Sequence, residues 1–313
     1  MKKFFFCAAA AIVALASCSK TQVVYNDAPQ EIGFKAVTGV MTKASTLGDQ
    51  NTTMGVFANY NKDKAVYFGN TSFSHVSDDV WGANPKKYWP LEGELDFAYY
   101  APYDATAASW TYTAEATKLA ITIDNTGRQT DWLYGTSVLK KQTKNNAGMA
   151  VNLRHALAKI TVNVTSDLER LVINSVTVKN TVQSGTLNVN YLTTDEDLTN
   201  GDSKLTWTST SNKDWVIIPP SYTFSEEMTN ATGTCYVIPS GQTKIEMSYS
   251  LPDDATQHSY THTLSGNWVD GTSYTYNISI GANEIKFKPS ETTWNETNPT
   301  PITVDPNKVN NNN

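Results

Sequence analysis

Cysteine is scarce in this chain: 313 residues hold three, Cys7, Cys18 and Cys235. The first two fall within or at the end of an N-terminal apolar run, so Cys235 alone is left for the body of the chain. No disulfide can form within that body, and an exported protein built this way must rely on its core or sit where thiols are not routinely oxidised. Arginine is equally rare, with only Arg128, Arg154 and Arg170, well apart from one another. The formal net charge is −6. Neutralising phosphates takes clustered Lys and Arg, so nucleic acid is not a partner. There is no Gly-x-Ser-x-Gly elbow, no His-Glu-x-x-His and no Gly-rich phosphate loop, and only four histidines are present. Those gaps leave no catalytic residues and no cofactor to assign, and the chain reads as a non-enzyme. No long stretch carries a helical repeat.

The apolar run has the build of an export signal. Lys2 and Lys3 supply a positive start, and Phe4 to Ser17 are uncharged and largely apolar. A membrane-spanning helix needs roughly 20 apolar residues, so the run reads as a removable segment, residues 1–17. It ends in Leu15-Ala16-Ser17-Cys18, which resembles the lipobox of bacterial lipoproteins. That resemblance implies that Cys18 is acylated, becomes the mature N-terminus and holds the protein to a membrane. Several acyl chains anchor firmly, since each buried methylene contributes about 0.8 kcal/mol. Removal of residues 1–17 takes away two lysines and no acids, leaving a formal charge of −8.

Residues 18–30 are polar and short of core side chains, as expected of a tether, and folding is predicted to start near Ile32. Thereafter the pattern is strand-like. Met54-Gly55-Val56-Phe57-Ala58, Leu95-Asp96-Phe97-Ala98-Tyr99-Tyr100 and Leu119-Ala120-Ile121-Thr122-Ile123 are short, β-rich and bounded by turn residues. The polar stretch Lys140 to Gly148 divides a first β unit, 31–147, from a second, 148–289. Within the second, Val151 to Val164 alternates apolar and polar positions but slips phase between Leu157 and Ile160, so a bulge is expected near Ala158. Ile245, Met247 and Tyr249 share one face, as do Tyr274, Tyr276, Ile278 and Ile280, the latter strand following a turn at Asp270-Gly271. Many short strands without crossover helices predict an all-β fold of two β-sandwiches in series. Residues 290–313 form a polar, Pro- and Asn-rich tail in which Ile302-Thr303-Val304 is the β-prone segment.

Other chemistry fails on ligand count. His258, Tyr260 and His262 project from one strand face, but two imidazoles do not make a metal site without a third ligand. Asp195 to Gly201 does not fit a calcium loop, because Asn200 stands where glycine is required. Cys235, in a Thr-Cys-Tyr-Val-Ile run, reads as a small buried strand residue. The alternative function is carbohydrate binding by an outer-membrane lipoprotein: Trp81, Trp110 and Trp207 lie in polar surroundings suited to exposed rings that stack on a glycan.

Several segments, in order, resemble the fimbrillin-like lipoproteins, the Mfa-like subunits of type V pili. They are the lipobox ending at Cys18, Glu31-Ile32-Gly33-Phe34-Lys35-Ala36, Met41-Thr42-Lys43-Ala44, Lys87-Tyr88-Trp89-Pro90, Leu95 to Pro102, Asp131-Trp132-Leu133-Tyr134-Gly135, Leu153 to Ile160 and Trp294. The resemblance implies two transthyretin-like sandwiches exported to the outer membrane as a lipidated precursor. It further implies that proteolysis removes the first strand and that a strand donated by another subunit refills the groove. Lys35 and Lys43 are the only basic residues between that strand's start and Asp49, which makes Lys43 the candidate for maturation cleavage. The implied partners are other fimbrillin subunits, the membrane through the lipid on Cys18, and a glycan or host or bacterial surface ligand met by the finished fibre.

Overall fold

The computed structural model describes residues 29–36, 53–77, 80–136, 143, 149–151, 153–191, 203–254, 256–281 and 285–293. Cys18, Lys43, the Asp195 to Gly201 segment and the tail from Trp294 onward lie outside them. Among the described residues the structure is all β, without a helix.

In chain order the first strands are β1 (Gly33–Ala36), β2 (Thr53–Tyr60), β3 (Val66–Ser77), β4 (Val80–Ala83), β5 (Leu95–Ala101), β6 (Ala108–Tyr112), β7 (Thr117–Asp124) and β8 (Leu133–Thr136). There follow β9 (Met149–Val151), β10 (Arg154–His155), β11 (Ala158–Ser166), β12 (Val172–Tyr191), β13 (Ser203–Ile218), β14 (Tyr222–Thr223) and β15 (Asn230–Val237). The last are β16 (Ser240–Gly241), β17 (Lys244–Ser250), β18 (Gln257–Thr263), β19 (Asn267–Trp268), β20 (Thr272–Ile280) and β21 (Ile285–Thr293).

Eight strands form one sheet in the order β10-β8-β5-β2-β3-β4-β1-β9. Its two end strands, β9 and β10, are separated by only residues 152 and 153, and three peptide steps of 3.8 Å reach about 11 Å at most. The ends of the sheet therefore lie side by side, and the sheet curls around its own core. Ile32, Phe34, Val56, Phe73, Trp81, Phe97, Tyr99 and Leu133 fill that core. The other face of β2, β5 and β8 is also covered: Phe57, Tyr100 and Tyr134 pack against Leu119 and Ile121 of β7 and Leu187 and Val189 of β12. Burial on both faces explains why every residue of β5 is buried. Within β5 the one carboxylate, Asp96, is held by Tyr112 of β6 (2.5 Å) and Asn61 (2.6 Å), which ties β6 to the curled sheet.

A second sheet runs β15-β11-β20-β21, and a third runs β18-β17-β12-β7-β6 with β13 and β14 also on β12. The first part of β12, with β17, packs on the second sheet through Ile160, Val162, Ile173, Val176, Ile245, Met247, Trp268, Tyr276 and Ile278. The later part, Leu187 and Val189, belongs to the core shared with the curled sheet. A single 20-residue strand thus serves two cores, with register shifts between Val178 and Gly185 where it passes from one to the other. Pairing also runs across position 148: β6 and β7 join the sheet of β12, while β9 and β10 join the curled sheet.

The bulge expected near Ala158 does not occur. β11 pairs with β15 in unbroken register from Ala158 to Thr165, whereas His155 pairs with Leu133 in the curled sheet. The phase slip marks a change of sheet: Ala156, Leu157 and Ala158 are all buried because the chain passes between two cores there. Burial of His155 beside Asp131 (Nδ1 to Oδ1 2.9 Å) closes this crossing, and burial pushes the Asp131 carboxyl up while His155 opposes it.

Candidate functional site: the slot of the first strand

The residues preceding β1 are zipped onto the segment after β4. Trp89 N–H donates to the Gln30 carbonyl and Ile32 N–H to the Lys87 carbonyl, each at 2.8 Å, and Glu31 bridges to Tyr88. β1 then runs between two neighbours. It is antiparallel to β4, with Phe34 opposite Trp81, and parallel to β9, with Phe34 opposite Met149 and Ala36 opposite Val151. Alternation sends Ile32 and Phe34 inward, and both are 0% exposed. The Phe34 ring meets Phe73, Phe97 and Tyr99 at centroid distances of 5.1, 5.4 and 5.3 Å, tilted or edge-on, as the quadrupoles of aromatic rings favour. Outside, Glu31 pairs with Lys86 at 2.7 Å, and this contact raises the lysine's pKa. Both partners are well exposed, so the pair contributes little compared with the two buried side chains.

The slot has a particular geometry. β9 is three residues long and pairs with no strand other than β1 among the described residues, so β1 is both a core strand and the sole partner of its neighbour. Withdrawing β1 would open two backbone edges and an aromatic-lined face together. Water cannot satisfy the apolar face, and an incoming extended segment with inward residues two positions apart can satisfy both. Sixteen residues, 37–52, separate β1 from β2, and Lys43 is among them. A cut after Lys43 leaves β1 attached to the rest of the fold by non-covalent contacts alone.

The other candidate residues lie elsewhere. His258, Tyr260 and His262 do share one face of β18; His258 pairs with Asp254 at 3.1 Å, while the His262 ring stacks on Phe287 and burial lowers its pKa. Cys235 is fully buried, and burial pushes its thiol up, away from the thiolate a nucleophile needs. The glycan platform is not assembled. Trp81, expected at the surface, is only 5% exposed because β4 turns it into the curled sheet, and Trp110 and Trp207 are half-buried around the shared core. For Trp110 and Trp207 the polar neighbours Ser109, Thr111, Thr206 and Thr208 sit on the opposite, exposed face of the strand. β9 as a wall of the slot was not apparent from the sequence, since three residues in parallel pairing leave no local signal.

A sequence model of fimbrillin-like proteins matches residues 40–294, most of the chain. The chain belongs to the fimbrillin-like family. Fimbrillin-like proteins are structural rather than enzymatic, and membership supports a role as a pilus subunit. No curated protein matches the sequence. Among solved structures, a fimbrial protein from Bacteroides vulgatus shares 17% identity with a TM-score of 0.56, covering 85% of this chain and 99% of its own. A candidate cell adhesion protein from Bacteroides uniformis shares 16% identity with a TM-score of 0.57, over 84% of this chain and 99% of that one. At this identity the likeness concerns the fold, which this fimbrillin-like chain shares along nearly the whole length of both.

Proposed function

We propose that this fimbrillin-like chain is a pilus subunit exported to the outer membrane as a precursor lipidated on Cys18, and assembled by strand replacement in the slot of β1. The observation that supports the proposal is the position of β1: an interior strand, with Ile32 and Phe34 in the core, separated from β2 by the sixteen residues 37–52. Cleavage after Lys43 puts the lipid and β1 on one fragment, so departure of the strand also releases the subunit from its tether. A donated strand from another subunit then restores the sheet. Beyond Trp294 the apolar residues suited to a donor are Ile302, Val304 and Val309, with prolines and asparagines among them, a poor alternation for a donor. Such a subunit accepts a strand better than it gives one, which fits an anchor or a tip more closely than a repeating stalk. The surface it serves is one of adhesion or biofilm.

The test is to treat the intact purified chain with a lysine-cutting protease and follow both the N-terminus and the size of the product. The expected result is a new N-terminus at Ala44 and a ladder of polymers. A chain that resists cutting near Lys43 and stays monomeric defeats strand replacement in this form. Separately, Cys18→Ala is expected to move the protein from the membrane fraction to the soluble fraction; unchanged partitioning would refute the anchor.

A further inference from the structure

β18 is an edge strand: among the described residues it pairs with β17 and with no other strand. Natural sheets blunt such edges with lysine, proline or bulges, because an unprotected row of N–H and C=O groups recruits another strand. β21, the edge strand that faces β18 across the stacked rings of His262 and Phe287, is blunted in this way by Lys286, Lys288 and Pro289. β18 is not. Its sequence, Gln257-His258-Ser259-Tyr260-Thr261-His262-Thr263, holds no acid, no lysine or arginine, no glycine and no proline, and its pairing with β17 has no bulge.

The same seven residues are nearly palindromic about Tyr260. Laid antiparallel against a second copy with Tyr260 at the two-fold axis, Tyr260 meets Tyr260, Ser259 meets Thr261, His258 meets His262 and Gln257 meets Thr263. The three inner pairs match like with like in size and polarity, and the outermost, Gln257 with Thr263, matches in polarity. The inward face of this ladder carries half-buried His258, Tyr260 and His262, and the outward face carries exposed Gln257, Ser259, Thr261 and Thr263. An isologous contact requires this kind of self-complementarity, in which one patch serves both partners. No side chain on the ladder has a permanent charge, so no like charges oppose one another. The nearest charged groups are Asp254 before the strand, paired with His258, and Lys244 and Glu246 of β17 beside Thr263 and Thr261, paired with each other.

We propose that β18 is a homodimerisation edge, at which two copies of this chain join β18 to β18, antiparallel and in register about Tyr260, so that the sheet of one continues into the other. A seven-residue ladder buries less than the roughly 1,200 Å² of a standard stable interface, so the dimer is weak, with a dissociation constant of about 0.1–1 mM. Copies crowded on one surface reach effective concentrations in that range. The contact needs neither cleavage nor the slot of β1, and it forms in the intact chain.

The experiment is sedimentation equilibrium of the full chain up to about 1 mM, comparing wild type with Ser259→Lys/Thr261→Lys. Both positions are exposed, so the fold and its melting midpoint are expected to remain unchanged while dimerisation is lost. In parallel, Ser259→Cys/Thr261→Cys places cysteines directly opposite across the axis, within the Cα separation of about 4.4–6.8 Å that a disulfide accepts. Oxidation is expected to yield several-fold more covalent dimer than wild type treated identically. A wild type that stays monomeric, leaving the edge to an unlike partner or to another segment of this chain, overturns the proposal. So does a dimer that survives the lysines, since it must use another surface. Loss of protease-driven laddering leaves the β18 result untouched, so the two assemblies fail independently.

Discussion

Gly233→Ala is expected to destabilise the fold by about 3 kcal/mol or more, at the upper end of overpacking costs and a large share of the 5–15 kcal/mol that holds a typical domain together. The inward positions of β15 are Ala231, Gly233, Cys235 and Val237, three of them small. The small residues are needed because the end of β13 crosses directly above. A Cβ on Gly233 would lie 2.1 Å from the Ile217 carbonyl oxygen and 2.7 Å from its carbonyl carbon. These are backbone atoms of a strand paired to β12, so neither can rotate aside, and relief requires β13 and β15 to separate. Gly55→Ala meets a softer obstacle. Its Cβ would fall 2.0 Å from the Tyr100 ring, a side chain that can move only by giving up its hydrogen bonds to Asn70 and the Asp104 carbonyl. Gly69 is the internal control, because nothing lies within 4 Å of a Cβ there. Gly69→Ala is expected to be neutral or to stabilise by up to about 1 kcal/mol through the unfolded chain. Urea midpoints of the three variants, with an unchanged slope, would order them Gly233, Gly55, Gly69 from least to most stable. A Gly233→Ala chain with a wild-type midpoint would mean that β13 does not cross β15 as closely as described.

The division between what the sequence revealed and what it concealed follows from how locally each feature is encoded. Ile245 and Met247, and Tyr274 through Ile280, announced their strands because one face of each is buried in a single core, which imposes a period of two. β12 offered no such clue. Its inward residues serve one core as far as Val178 and another from Val182, so no single periodicity runs through it. The slip after Leu157 was visible as a break in alternation, but alternation alone does not distinguish an extra residue within one sheet from a passage between two. Trp81 misled differently: its neighbours within β4, Val80 and Gly82, give no alternation, and only pairing with β1 and β3 shows that it lies inside. Around the candidate site, Ile32 and Phe34 were recognisable through the ordered family segments. Burial of β1 between β4 and β9 is a matter of strands distant in sequence, and only the folded chain displays it. The roles proposed for Cys18 and Lys43 belong to a different category, since they concern processing rather than packing.

Phe34→Ala is expected to cost about 3–5 kcal/mol, the range for removing a fully buried aromatic ring and leaving a cavity among Phe73, Phe97 and Tyr99. In the intact chain this loss is shared by the whole cooperative fold and appears as a lower denaturation midpoint. Once the connection between β1 and β2 is cut, the same loss falls on the grip of the rest of the fold on a separate strand. Three to five kcal/mol then corresponds to roughly a hundred- to several-thousand-fold weaker retention, since every 1.4 kcal/mol is a factor of ten. The cut Phe34→Ala protein is therefore expected to shed its N-terminal fragment faster than cut wild type, and to ladder sooner if a free slot is what limits assembly. Lys86→Ala serves as the contrast. It removes the exposed Glu31 pair from the same segment while leaving both buried side chains in place, and no resolvable change in retention is expected. Fragment release from the two cut variants, followed by size-exclusion chromatography, separates the possibilities. If Phe34→Ala and Lys86→Ala release the fragment at equal rates, the slot is held by its backbone ladder alone. If only Phe34→Ala accelerates release, the aromatic lining decides how long the precursor strand stays, and an incoming strand must offer a comparable side chain at the Phe34 position to displace it.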